Sequence, residues 1–185
     1  MNMRCYHLNN FYMGGIHAGI QSAHAQHELM LKYVDPQSPV VKSPFWGAQV
    51  AGYLDWARNH KTIVVLNAGM QSNLEDWRLF LLNGAVSHGY AWAPFYEAED
   101  ALNGAFTNIA LVLPERIYGY AREVTRAHNL DVGHIRAVRR IHDGAECRFY
   151  NLDDGAKLVA PDGDEMHFTT FDVELMAKLS KCSLM

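Results

Sequence analysis

The sequence predicts an α/β fold with a central mixed β-sheet flanked by helices, and three observations point to it. Short apolar runs of strand length alternate with longer stretches whose apolar positions recur at helical spacing. Gly- and Pro-containing breaks separate the two kinds of segment. No repeat or low-complexity tract interrupts the order. With 185 residues and 49% hydrophobic content, the chain can bury the core of one domain, or of one domain with an appendage.

Residues 3–11 are rich in aromatic and apolar side chains and predict a first strand. Gly14-Gly15 breaks it, and a helix follows over 16–33 until Asp35-Pro36-Gln37-Ser38-Pro39 stops it. Phe45, Val50, Tyr53, Leu54 and Ala57 recur at helical spacing, so a second helix covers 45–59. The strand Thr62-Ile63-Val64-Val65-Leu66 has no polar alternation, which predicts a central strand covered on both faces. Ser72-Asn73-Leu74-Glu75 has the spacing of a capping box and opens a helix reaching about residue 87. Strands follow at 90–97 and 107–113, and Pro94 puts the first at an edge or a bulge.

A fourth helix over 115–128 would pack through Ile117, Tyr120, Ala121 and Val124. Beyond it, short strands at 135–141, 145–151 and 156–159 are separated by the turn signals Asp143-Gly144 and Asp153-Asp154-Gly155, and a helix over 171–179 closes the chain. The expected organisation is an α/β domain over 1–128 and a C-terminal β-hairpin and helix extension over 129–185.

Three widely spaced cysteines, Cys5, Cys147 and Cys182, argue against a disulfide framework or a Cys-x-x-Cys zinc site. A reducing, cytoplasmic compartment is the default. The first residues lack the apolar core of a secretory signal, and no apolar run approaches the roughly 20 residues of a membrane span, so no membrane partner is expected. The net charge of -4 is unevenly spread. Residues 116–148 carry seven Arg against four acids, whereas the flanking parts are acidic. Arg136, Arg139 and Arg140 in that segment could contact phosphates bidentately; the plainer reading is a solvated face.

Two constellations could carry chemistry. The first is a helix face: His17, Gln21 and His24 are spaced four and three residues apart among Ala, Gly and Ser, behind a Gly14-Gly15 turn whose amides could meet an anion. Zinc binding by these three is disfavoured, because Gln is a poor ligand and no His-Glu-x-x-His pattern is present. The plainer reading is a small-residue helix packed tightly on a sheet. The second constellation is the connection Glu97-Ala98-Glu99-Asp100-Ala101-Leu102-Asn103-Gly104-Ala105-Phe106-Thr107, which offers three carboxylates, an amide at Asn103 and a hydroxyl. Cys5 stands near His7 in sequence but reads as a buried strand residue.

The segment Gln21-Ser22-Ala23-His24-Ala25 resembles the Ala-Gln-x-x-His-Ala signature of the type-2 peptidyl-tRNA hydrolase family, which follows a strand and a Gly-Lys turn. Later landmarks keep the family's order: a helix ending at Trp56, the strand over 61–66, a helix around Trp77, a strand ending at Glu97, and a Thr-led strand closing with Pro114. The resemblance spans roughly residues 3–128. The family's Lys, four residues before the Gln, is His17 here.

This resemblance implies hydrolysis of the ester joining a peptide to the 3′ end of tRNA, with no cofactor or metal. Gln21 would align a water, and His17 or an acid of the 97–100 loop would activate it. Glu97 or Asp100 would take the family acid's place, Thr107 would supply the hydroxyl, and helix N-terminal amides would stabilise the oxyanion. Gly14, Gly15, His24, Asn103 and the three Arg residues would bind substrate. The competing class is a non-catalytic binder on the same fold, holding a nucleotide-like molecule or a host protein as a phage counter-defence factor would. A homodimer is left open. Either way, His17 and Gln21 are expected to be accessible in one cleft. Replacing Arg136, Arg139 and Arg140 with Ala is expected to weaken RNA binding and flatten its salt dependence, measured across a salt titration.

Overall fold

The computed structural model describes residues 2–128, 136–139 and 146–185. Its elements divide into two compact units, one of residues 1–114 with 182–185, the other of residues 115–181. The division falls at Pro114–Glu115 rather than after His128, and the last residues return to the first unit.

In the first unit, β1 (Met3–Asn9) leads into the long helix α1 (Gly15–Tyr33). A short helix α2 (Pro39–Lys42), capped by Ser38, was not anticipated. The expected helix over 45–59 is composite: a 3₁₀ turn at Pro44–Trp46, α3 (Gly47–Asp55) and a π-helical turn at Trp56–His60. Then come β2 (Thr62–Asn67), α4 (Gln71–Gly84), β3 (Ala91–Tyr96), a one-turn helix α5 (Glu99–Leu102) and β4 (Phe106–Pro114). The capping box expected at Ser72 and Glu75 is displaced. Asn73 Oδ1 instead accepts from Met70 N–H at 2.9 Å, so α4 starts at Gln71 and Ser72 lies inside its first turn.

The sheet has the order β3-β4-β1-β2-β9, where β9 is Ser183–Leu184. β1 and β2 run parallel; β4 is antiparallel to β1, and β3 to β4. The mixed sheet flanked by helices is therefore observed. Its centre, however, is β1 and β4 rather than the strand at 62–66. β2 has only the two-residue β9 on its far side, and Ile63 is 50% exposed. An all-apolar strand near an edge is still favoured by its β-branched residues, so the lack of alternation did not report position.

One face of the sheet meets α1, α3 and the π turn in a core of Cys5, Ala25, Leu29, Tyr33, Tyr53, Trp56, Ala93, Ala110 and Val112. Alternation sends Tyr6, Leu8, Ile109 and Leu111 to the other face, where Leu74, Trp77 and Leu81 of α4 are buried. β3 is an edge, as Pro94 implied, with a bulge between Phe95 and Tyr96. Side chains satisfy the outward backbone groups of Trp92 and the carbonyl of Tyr90 just before the strand. Trp92 N–H donates to Tyr33 Oη at 3.1 Å, Trp92 C=O accepts from Lys32 Nζ at 2.8 Å and Tyr33 Oη at 3.3 Å, and Tyr90 C=O accepts from Gln49 Nε2 at 2.6 Å. Pro94 has no N–H to leave open.

In the second unit the expected single helix over 115–128 is two, α6 (Glu115–Gly119) and α7 (Ala121–His128). A four-stranded antiparallel sheet of β5 (Arg136–Arg139), β6 (Glu146–Leu152), β7 (Gly155–Val159) and β8 (Glu165–Thr169) replaces the expected hairpin. The Asp143-Gly144 turn lies outside the described residues. Helix α8 (Thr170–Leu179) opens with a capping box, Asp172 N–H donating to Thr169 Oγ1 and Thr169 N–H to Asp172 Oδ2. No described helix is long and apolar enough to cross a membrane.

The edge device yields a stability test. Tyr33→Phe removes the hydroxyl that serves both Trp92 backbone groups and leaves a buried N–H unpaired, so urea unfolding should show a loss of about 1–3 kcal/mol with an unchanged m-value.

Candidate functional site

Strand directions gather the carboxyl ends of β1, β2 and β3 and the start of β4 at one end of the first unit's sheet. This is where open α/β sheets present ligand-binding loops. The loops there are tied together by main-chain bonds. Asn10 N–H donates to Thr107 C=O at 3.0 Å, Phe11 N–H to Gly69 C=O at 2.6 Å, and Ala68 N–H to Asn9 C=O at 2.9 Å. Two glycines are required by geometry. Gly15 begins α1 at φ 48°, and a Cβ on Gly69, at φ 96°, would sit 2.5 Å from Asn73 Oδ1.

Three of the residues expected from sequence meet at this end. Gln21 Nε2 donates to Glu97 Oε1, and Thr107 Oγ1 donates to Gln21 Oε1 at 3.1 Å. The network fixes the amide's orientation: the carboxylate can only accept, so the NH₂ faces Glu97 and the carbonyl oxygen faces the hydroxyl. Gln21 is 5% exposed, Thr107 is fully buried, and Glu97 is half-buried with its second carboxylate oxygen making no hydrogen bond among the described residues. The expectation that His17 and Gln21 would both be accessible is corrected. His17 is exposed one turn earlier on α1, while the small residues that looked like an open helix face let Gln21 sink against the sheet.

The other expected residues do not join this cluster. Asp100 is exposed on α5 and makes no side-chain hydrogen bond among the described residues. Asn103 takes a left-handed conformation, φ 56°, capping α5 through its N–H to Glu99 C=O at 3.1 Å, so its main chain explains its presence. His24 is exposed and stacked on Phe95, ring centroids 4.9 Å apart. Gly14 is the N-cap of α1, contributes no side chain, and precedes a first turn without acids. Arg136 and Arg139 lie in β5 of the second unit, and Arg140 lies outside the described residues. Among the described residues no cluster of three His, Cys, Asp or Glu side chains could hold a metal ion.

A second polar group, missed from sequence, lies buried beneath α1. Asn108 Nδ2 donates to Asn9 Oδ1 at 2.9 Å and to Ser22 Oγ at 3.5 Å; Asn9 Nδ2 donates to Ser22 Oγ at 3.4 Å; Ser22 Oγ donates to Ala18 C=O at 2.8 Å. With the Asn108 amide nitrogen so engaged, its Oδ1 accepts from His7 Nδ1 at 3.2 Å, leaving the lone pair on His7 Nε2 facing Cys5 Sγ at 3.5 Å. The order Cys5, His7, Asn108 is that of a nucleophile, a base and an orienting amide. Here it is inert: all three are fully buried, and burial pushes the Cys5 thiol far up and away from the reactive thiolate. The available signal was Asn9 and Asn108, polar residues within otherwise apolar strand runs.

No protein-family model matches the sequence, and no curated protein matches it significantly.

Burial holds His7 neutral, pushing its pKa from 6.5 down to about 4, against the opposing hydrogen bonds that its ring makes with Asn108 and Gln26. The unfolded chain therefore binds an extra proton between those values. Stability that is full above pH 6.5 should fall as pH drops from 6.5 to 4, by up to about 3 kcal/mol, and level off below that, in urea unfolding followed across pH; His7→Gln should flatten that slope.

Proposed function

We propose that the protein is a peptidyl-tRNA hydrolase-like esterase that cleaves the ester between a peptide and the 3′ end of tRNA with an activated water, using Gln21, Glu97 and Thr107. The observation that carries this reading is their convergence: side chains 76 and 86 residues apart in sequence form one hydrogen-bonded chain at the sheet end beside the Gly14-Gly15 turn. The same residues were singled out by the resemblance to the type-2 peptidyl-tRNA hydrolases.

Glu97 is better placed than Asp100 to act as base, because Gln21 holds one of its oxygens and leaves the other available. That oxygen takes a proton from a water, the water's oxygen attacks the ester carbonyl, and the tetrahedral intermediate expels the ribose 3′ oxygen, which recovers the proton from Glu97. Gln21, anchored by Thr107, orients the water. The amides opening α1 are the donors for the oxyanion, since the first turn of a helix has N–H groups without intrahelical partners. His17 supplies the charge of the family Lys only when protonated.

A second reading, a non-catalytic binder of a nucleotide-like molecule or a protein, is favoured by one observation. Residues around the Gly14-Gly15 turn are strongly exposed and apolar, with Tyr12 at 72% and Ile16 at 82%, whereas Thr107 is wholly buried.

Peptide release from a peptidyl-tRNA separates the two. On the hydrolase reading Glu97→Gln should lose about 10²- to 10⁴-fold, and His17→Lys should match or exceed wild type at neutral pH because Lys stays charged there. Absence of turnover by folded wild type and folded His17→Lys would overturn the hydrolase in favour of the binder.

A further inference from the structure

We propose that the buried junction of Asn9, Ser22 and Asn108 is a positioning device that holds helix α1 at the height and register at which Gln21 bridges Glu97 and Thr107. The proposal rests on the site reading above. Each member of the junction adjoins a residue at the candidate site: Ser22 follows Gln21, Asn108 follows Thr107, and Asn9 precedes Asn10, whose N–H meets Thr107 C=O. The junction thus pins the three segments whose relative placement decides whether the Gln21 amide can reach both partners.

Its hydrogen bonding is nearly saturated. Ser22 Oγ spends its proton on Ala18 C=O and accepts from both Asn side chains; Asn108 Oδ1 accepts from His7, and the second proton of Asn9 Nδ2 goes to His7 C=O at 3.4 Å. A polar group of this kind, sealed beneath a helix, adds little net stability compared with a well-packed apolar filling, because desolvation offsets most of the bonding. Its advantage is discrimination. An apolar contact tolerates a helix slid or rolled by a fraction of an ångström, whereas four directional bonds linking three segments do not. Directional locking of α1 suits a site in which a single amide must meet a carboxylate on one side and a hydroxyl on the other.

One variant tests this in two ways. Ser22→Ala deletes the shared oxygen with minimal change of volume. The first measurement is independent of any activity: hydrogen exchange and chemical shifts of the Gln21 side-chain NH₂ by NMR. In wild type these protons should be protected and dispersed. In Ser22→Ala they should exchange at least about tenfold faster and move toward free-amide shifts, since the anchor that holds the amide in its two bonds is gone. Unchanged Gln21 amide signals in a folded Ser22→Ala protein overturn the proposal, whether or not the chain hydrolyses peptidyl-tRNA.

The second measurement is a double-mutant cycle on peptide release. If the junction acts through Gln21, Ser22→Ala should lower kcat by up to about 10²-fold with little change in KM, and should add nothing in a Gln21→Ala background. Additive losses would make the junction merely structural and overturn the proposal. If the wild type shows no turnover, the hydrolase reading fails while the amide measurement still decides the positioning role.

Discussion

The antiparallel pairing of β1 with β4 is the contact on which the first unit depends. It runs in unbroken register from Met3 opposite Pro114 to Asn9 opposite Asn108, and every residue of β4 is buried. The two strands lie far apart in sequence, so their closure fixes a long loop and is costly in chain entropy before other contacts form. Apolar residues along most of the register offset that cost. At its end the apolar pattern yields to Asn9 and Asn108, bonded to each other and to α1. The pairing thus buries the core at one end and, at the other, hands its register to the residues around Gln21.

The fold class was legible because the periodicities were consistent over long segments. α1, β4 and α8 occur within a residue or two of their expected limits. What was not legible were choices that tertiary contacts make. The central position of β1 was hidden by its polar His7 and Asn9, whereas the uniformly apolar 62–66 looked more deeply buried than it is. The start of α4 was missed because Asn73, not Ser72 or Glu75, provides the capping oxygen. β9 is two residues long and too short to announce itself by pattern, whereas β8 does alternate polar and apolar residues, Glu165-Met166-His167-Phe168-Thr169, and was overlooked.

At the site, sequence reasoning reached Gln21, Glu97 and Thr107 through a five-residue signature and the order of later landmarks. It could not separate Glu97 from Asp100, three residues apart in one acidic loop. That distinction comes from the main chain: Glu97 N–H bonds to Ala105 C=O and aims its side chain back at α1, while Asp100 sits in the one-turn helix beyond. The Asn9, Ser22 and Asn108 junction was missed for a related reason. Asn9 and Asn108 stand out as polar breaks in apolar strands, but no spacing pairs them with each other or with Ser22 until the sheet brings them together.

The two-residue strand β9 changes how the units are connected. Because Leu184 lies opposite Leu66 and Ser183 opposite Asn67, the chain leaves the first unit after Pro114 and comes back to it at Cys182. The second unit is therefore an insertion with two covalent attachments, not a tail with one. A protease that cuts a single crossing leaves the insertion still joined through the other, so separating the two as free polypeptides takes a cut at each end. Synthesis has a matching asymmetry: β2 must wait, its outer edge unmatched at Leu66 and Asn67, until the ribosome has made the whole intervening unit.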